Sequence, residues 1–397
     1  MPIRPRPSRR RRIQLLLLAG AGLVLAGCAK DAPQDTWQPA GPNAQQIDNL
    51  QRPVFYMAGV VGVIVFIAVF YCVWRFRDRG QAIPSQSHGK TIIEIGGIVV
   101  SASILAVIAV PTVRTIFDLA DTSDCSLTVN VTGQQWWWEY SYPVQEGLET
   151  PVVTVGELVI PTNQCVMLRI TSRDVIHSYW IPKLNGKKDA VPGRVQTLRL
   201  EADFPGIFAG QCTEFCGLSH ANMKMFAVAL DGPDFATWLE QQIQPAANPP
   251  EDTPEAAGQD VFVAQCVRCH QVNGLEDADG NPLISQAEDY LVSGAAPDLT
   301  HLMSRTTFAG ATFSLLTDEC RAVLLAASPE EFGPLYLDGV SPECLNRVQL
   351  EEWVRNAPAM LPMYPTPNAE GLGRGMPYLG LSEEDIDRVV DYLATLK

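Results

Sequence analysis

Histidine is scarce in this chain: five in 397 residues, at positions 88, 177, 220, 270 and 301. That supply cannot furnish a multi-histidine catalytic centre as well as other metal sites, so such a centre would have to lie on another chain. Only one C-x-x-C occurs, which excludes a zinc site built from two such pairs. No internal repeat is visible, which removes repeat architectures. Basic residues are short as well, 29 Lys and Arg against 44 Asp and Glu. That balance argues against a nucleic-acid partner.

What is present begins with targeting. The start, "RPSRRRRIQLLLLAGAGLVLAGCAK", is a basic block, a short apolar run and then Leu25-Ala26-Gly27-Cys28. This is the layout of a secretory signal over residues 1–27. Its ending resembles a bacterial lipobox, which would make Cys28 the lipidated first residue of the mature chain. Val54–Trp74 is an uncharged run of 21 residues. At about 1.5 Å per residue it matches the roughly 30 Å core of a bilayer. Arg75, Arg77 and Arg79 follow and mark the cytoplasmic side. A second span, about 92–116, returns the chain outward, so residues 28–120 form a hairpin with both long ends outside. Cys72 reads as apolar filler. Glu94 lies near the cytoplasmic start of the second span, and an ionisable group at that depth is a functional candidate. A reach into the headgroup region accounts for it equally well.

From residue 121 to 240 the chain consists of short β-branched runs broken by Gly, Pro and Asn, among them "PVVTVGELVIP" and "VQTLRLEAD". Such spacing predicts a sandwich of antiparallel strands. Residues 241–257, "QQIQPAANPPEDTPEAA", read as an extended spacer. Residues 258–397 carry helical patterns and end in "SEEDIDRVVDYLATLK", where Ser382 marks a helix start. The fold class is therefore multidomain: a transmembrane hairpin, an all-β sandwich and an all-α module. Charge is lopsided, with 24 Asp and Glu against 8 Lys and Arg in residues 251–397. That balance of −16 nearly equals the −15 of the whole chain. An acidic module suits a basic partner, or serves solubility alone.

Two motifs carry chemistry. "CVRCH", Cys266 to His270, is the c-type haem attachment pattern. Its thiols would add to the vinyl groups, and His270 would bind iron. "GQCTEFCGLSHANMKMF", Gly210 to Phe226, places Cys212, Cys216, His220 and Met223 close together. Thiolate, imidazole and thioether are the set that soft copper prefers. A Cys212–Cys216 disulfide is the competing reading, but it leaves His220 and Met223 unexplained. A copper site would want another imidazole. His88 belongs to the cytoplasmic loop, while His270 and His301 belong to the haem module, so the remaining candidate is His177.

With those residues in hand, the chain resembles cytochrome c oxidase subunit II of the haem–copper oxidases. "DVIHSYW" and "CTEFCGLSHANM" resemble its binuclear copper A site. "GQQWWWEY" resembles the segment where electrons enter, with Gln134 where that pattern usually has His. "HGKTIIEIGGIVV" resembles the start of its second membrane helix. The fused haem module makes the whole similar to subunit II of a caa-type oxidase. The resemblance implies a cupredoxin-like sandwich in which Cys212 and Cys216 bridge two coppers. His177 and Met223 would complete one copper; His220 and the Glu214 carbonyl would complete the other. The Glu214 side chain would help hold magnesium at the boundary with subunit I. Trp136 would accept electrons, Glu94 would stand at a proton-channel entrance, and one or two of Trp136–Trp138 would serve as core.

The implied partners are subunit I, subunit III, a cytochrome c donor and membrane lipid. The implied place is the bacterial cell membrane, multi-pass, with both metal domains extracytoplasmic. A nitric-oxide or nitrous-oxide reductase component, a quinol-oxidase subunit and a copper-delivery protein are the alternatives. The haem module departs from the family at an apparent insertion, about 309–347. Its Cys320 and Cys344 suit a disulfide in an exported domain, as do Cys125 and Cys165. His301 is expected at the surface or haem edge. A sixth, thioether ligand would raise the haem potential. Met376, in a Met-Pro pair before the last helix, resembles that ligand in small c-type cytochromes; Met363 is the runner-up.

If the acidity steers a basic donor, electron delivery should slow as ionic strength rises past roughly 0.1 M, where the Debye length is about 10 Å. Stopped-flow reduction of the haem across a salt series checks this; a flat rate would leave the acidity a matter of solubility.

Overall fold

Two helices carry the apolar runs. The computed structural model of the chain describes residues 32–80, 89–275, 296–364 and 374–397, with Arg10, Gln14 and Gly20. The body of the expected signal, and Cys28, lie outside the described residues, as does His88. Helix α1 spans Pro42–Arg75 and α2 spans Thr91–Ala120. Both run beyond the apolar stretches, and both are long and apolar enough to cross a membrane. Their hydrophobic windows are uncovered by protein: Phe66, Phe70, Ile98 and Leu105 are all exposed. Such a surface needs lipid around it. The chain ahead of α1 is tied to the sandwich by backbone bonds, Ala40 N–H to Lys183 O at 2.8 Å and Asp203 N–H to Ala40 O at 2.9 Å.

The sandwich has ten strands. One sheet has the order β3 (Val152–Val155), β2 (Trp137–Tyr142), β1 (Leu127–Gln134), β5 (Val166–Ser172), β8 (Gln196–Leu200). The other has β4 (Glu157–Pro161), β10 (Lys224–Leu230), β9 (Gly206–Gln211). A ribbon of β6 (His177–Tyr179) and β7 (Lys188–Ala190) completes it. Alternation of apolar residues builds the core: Val129, Val131, Leu168 and Ile170 share one face of the first sheet, and Leu158, Ile160, Ala227 and Ala229 share one face of the second, all fully buried. Tyr142 joins the layers, its hydroxyl bonded to both the carbonyl and the amide of Val159.

One expectation needs correcting. The strands are not antiparallel throughout, because β1 pairs with β5, and β4 with β10, in parallel. Parallel neighbours require long crossovers, and the intervening strands and loops supply them. A Cys125–Cys165 disulfide staples the chain just ahead of β1 and β5.

Behind the sandwich come α3 (Gly232–Gln242), α4 (Pro254–Gln265), α5 (Asp318–Ala326), α6 (Pro329–Leu337), α7 (Arg347–Met360) and α8 (Glu383–Leu393). Helices α4 and α8 pack together through Phe262 and Tyr392, ring centroids 5.3 Å apart. Ser382 caps α8 as expected, accepting from Asp385 N–H. The stretch read as a free spacer is tied down at its start: Gln242 reaches Ser304, and Ala246 N–H donates to Asn273 O. His301 is not at the surface; it is 3% exposed, with Nε2 at 3.1 Å from Gln242 O. The spacer's first residues cover it, which the reading of 241–257 as a detached linker could not foresee. The insertion forms a short hairpin, β11 (Thr307–Phe308) with β12 (Phe313–Ser314), followed by α5 and α6. A disulfide ties Cys320 in α5 to Cys344, closing a loop of sequence separation 24.

Loop closure of that length restricts the unfolded chain by about 3 kcal/mol. Replacing Cys320 and Cys344 with serine should therefore lower the thermal transition of the helical module and leave that of the sandwich in place. Separate transitions by differential calorimetry check it, and an unmoved helical transition would show the bridge to be dispensable.

Candidate metal centres

The loop between β9 and β10 holds four soft side chains because its ends are clamped. Cys212 N–H donates to Met223 O at 3.0 Å, just beyond the last pair of the β9–β10 ladder. Inside the loop a single 3-10 turn, His220–Asn222, turns the chain back. The fifth soft side chain comes from β6: Thr213 N–H donates to Ser178 O at 3.0 Å, which brings the loop against His177. Gly133 makes room for that ring, since a Cβ there would lie 3.0 Å from His177 Cδ2.

The resulting cluster is compact. Cys212 Sγ lies 3.8 Å from Cys216 Sγ, 4.0 Å from His177 Nδ1 and 3.3 Å from Glu214 O. Cys216 Sγ lies 3.5 Å from His220 Nδ1 and 3.8 Å from Met223 Sδ. Cys212, Cys216, His177 and Met223 are buried, while the Glu214 side chain is exposed. The two thiols are free rather than bonded. Two sulfurs side by side, each with its own imidazole and one further soft or carbonyl donor, fit a thiolate-bridged pair of copper ions.

Protons in this pocket are shared unevenly. A hydrogen bond from the Cys216 thiol is the main force lowering Cys212 to about 4, against the opposing effect of burial. That same bond, with burial, drives Cys216 well above the ordinary thiol range. Burial alone would lower His177, but its bonds to Asp174 and Cys212 outweigh this and raise it. At neutral pH the metal-free pocket therefore holds one thiolate, so metal binding has fewer protons to displace.

Asp174 was not singled out in the sequence, although it opens the "DVIH" motif. Its Oδ1 lies 2.8 Å from His177 Nε2, the carboxylate–histidine arrangement that orients a metal-binding ring. Gln135 was also missed; its Nε2 donates to Cys216 O at 2.7 Å, beside Trp136 Nε1 at 3.2 Å. Of the three tryptophans, Trp138 is wholly buried and stacks edge-on with Tyr179. Trp136 lies over the copper loop, and Glu94 lies exposed in the first turn of α2.

In the helical module Cys266 ends α4, and Cys269 and His270 follow in a turn. His270 Nδ1 donates to Pro297 O at 2.8 Å, and burial holds the ring below the usual imidazole range. A neutral ring bonded through Nδ1 presents a free lone pair at Nε2, as a haem iron needs. Met363 packs against the backbone of Gly375, the residue before Met376: a Cβ on Gly375 would lie 2.8 Å from Met363 Sδ. The Cys-x-x-Cys-His turn fits a covalently held haem.

Each part of the chain is similar to known proteins. Residues 33–115 match the transmembrane domain of cytochrome c oxidase subunit II, residues 146–230 its periplasmic domain, and residues 255–313 the cytochrome c family. The chain is 31% identical to cytochrome c oxidase subunit 2 of Alkalihalophilus pseudofirmus, over 97% of each chain. It is 30% identical to the Bacillus subtilis protein of that name, over 75% of this chain and 83% of that one. Among solved structures, the periplasmic domain of subunit II of cytochrome oxidase from Bradyrhizobium japonicum is 32% identical, covering 31% of this chain and 96% of that one, with a TM-score of 0.29.

In the metal-free chain, thiolate ultraviolet absorbance from the pair should persist on acidification and fade around pH 4, where Cys212 takes its proton. Cys216→Ala removes the donor and should return that midpoint toward the ordinary thiol range. An unchanged midpoint in the variant would mean that Cys216 is not its cause.

Proposed function

The chain belongs to the cytochrome c oxidase subunit II family, and from that premise we propose how its residues divide the work. It is an electron-transfer subunit of a terminal oxidase, anchored in the membrane with its copper A and cytochrome c domains periplasmic. The proposed copper A ligands are Cys212 and Cys216 as bridges, His177 with Met223, and His220 with the Glu214 carbonyl. The observation that carries this reading is the cluster itself, five soft side chains within about one ion pair's reach at 3.5–4.0 Å spacings. When bound, a thiolate-bridged copper pair supplies one-electron exchange with little change of geometry, and the haem supplies the same at the donor side.

The chain's own residues set the conditions for that exchange. Asp174 holds the His177 ring so that Nδ1 faces Cys212. Gln135 and Trp136 hold the Cys216 carbonyl, which fixes the loop beneath the aromatic surface where we place electron arrival. Cys266 and Cys269 would bind the haem covalently, and His270 and Met376 would hold its iron. Domain limits follow the sequence reading: hairpin 28–120, copper domain 121–240, linker 241–257, cytochrome domain 258–397.

Further assignments rest on the resemblance and the local chemistry. The exposed Glu214 carboxylate suits a magnesium ion shared with subunit I. Glu94, in the first turn of a membrane helix, suits a proton-channel entrance and links the subunit to proton translocation. The first 27 residues suit a cleaved lipoprotein signal with Cys28 acylated, and subunit III is a further partner.

Metal analysis with an absorption spectrum of the purified chain tests the core of this proposal. Two coppers per haem iron with a near-infrared band are expected; one copper per haem sinks it. In the loaded chain, Met376→Ala should abolish the weak far-red iron–sulfur band and lower the haem potential with the haem still attached. If Met363→Ala does so instead, Met363 is the ligand.

A further inference from the structure

The insertion in the cytochrome domain has no role in the assignments above, yet it and the residues on either side of it join the two metal domains. Glu157, in β4 of the copper domain, is completely buried. Its Oε1 accepts from Thr306 N–H at 2.9 Å, Thr306 Oγ1 at 2.7 Å and Thr307 Oγ1 at 2.7 Å; its Oε2 accepts from the Tyr336 hydroxyl at 3.0 Å. All four donors belong to the cytochrome domain. A buried carboxylate is costly unless it is fully hydrogen-bonded, and the cytochrome domain packed against Glu157 supplies all four of these donors.

A second set of bonds brackets the copper loop. Lys224 N–H donates to Gly310 O at 3.0 Å, and Thr312 Oγ1 donates to Asn222 O at 2.5 Å. Ser219 Oγ donates to Pro362 O at 2.6 Å, and Arg374 Nε lies 3.4 Å from Asp174 Oδ2. Between these anchors the cytochrome domain lies on Trp136. Tyr364 places its ring 5.7 Å from the indole, and Trp136 is left 8% exposed. Gly310, at φ +67°, passes so close to the Trp136 carbonyl that a Cβ would collide with it. Only glycine suits both that backbone and that approach.

We propose that the segment from Thr306 to Tyr336 is a latch: it seats the cytochrome domain on the copper domain, so that Tyr364 closes the Trp136 face to any separate donor protein. A separate donor then has only the cytochrome domain to deliver to, and the balance of −16 in residues 251–397 gives a basic donor its docking surface there. The latch rests on the reading of Trp136 as the place where electrons reach the copper site.

Hydroxyl-radical footprinting and amide hydrogen exchange on the full chain test the latch. In the unaltered chain Trp136 should oxidise as slowly as the buried Trp138, and the Lys224 amide should be protected. Gly310→Val should raise both rates about ten-fold. The pair Thr306→Val with Thr307→Val, which removes two donors to Glu157, should act in the same direction and guards against a folding defect peculiar to Gly310→Val. Oxidation of Trp136 at the rate of Trp37, itself 40% exposed, would overturn the latch, as would unchanged protection in both variants. Copper and haem analysis of the same samples keeps the two readings apart. A protected Trp136 in a chain that takes up no copper preserves the latch and removes the copper assignment; a loaded chain with Trp136 open does the reverse.

Discussion

A single carboxylate, Asp174, connects the three segments on which electron transfer depends. Its Oδ1 meets His177 Nε2, its Oδ2 accepts from Gln135 N–H at 2.8 Å, and Arg374 of the cytochrome domain lies against the same oxygen. Burial would raise its pKa, but the bonds from His177, Gln135 and Val175 prevail and hold it below the usual carboxylate value. A charge kept in so enclosed a place has to be surrounded by donors, and each donor here is a functional part. The aromatic segment, the His177 ring and the loop that carries Arg374 are thus positioned by one group. Moving any one of them leaves part of that charge unmatched.

The same logic explains why the copper loop can be both polar and buried. Cys212 and Cys216 share a proton, and Asp174 bonds the His177 ring. The pocket is therefore electrically organised in advance of metal. The β9–β10 ladder holds its rim, so its geometry depends on backbone bonds outside the ligand set. Rigidity of that kind favours a centre whose work is to exchange electrons without rearranging.

Much of this was legible from side-chain chemistry alone. Cys212, Cys216, His220 and Met223 lie within twelve residues, and the shortage of histidine pointed to His177 across a gap of 35 positions. The disulfides at Cys125–Cys165 and Cys320–Cys344 followed from an exported setting. Other features were invisible because they depend on which strands become neighbours. Parallel pairing of β1 with β5 is not written in either strand's alternation. Glu157 looked like one more acidic residue in an ordinary strand, and its donors lie about 150 positions downstream. The surface alternative for His301 fails for the same reason, since its cover comes from a segment that composition marked as an extended spacer.

The first membrane helix also sets a height. Its apolar part begins at Val54, but the helix begins at Pro42, directly after the backbone bonds that fasten Ala40 to the copper domain. The twelve intervening residues form a stalk of about 18 Å, at about 1.5 Å per residue, whose first turns pack on the sandwich, with Ala44 N–H bonded to Leu184 O and Asn43, Ala44 and Asp48 buried. A helical stalk couples elevation to azimuth: each residue added or removed would turn the domain by about 100° as well as shifting it by about 1.5 Å. Copper and haem are therefore presented to the membrane partner at one compass bearing, and the length of this short segment is as constrained as any ligand.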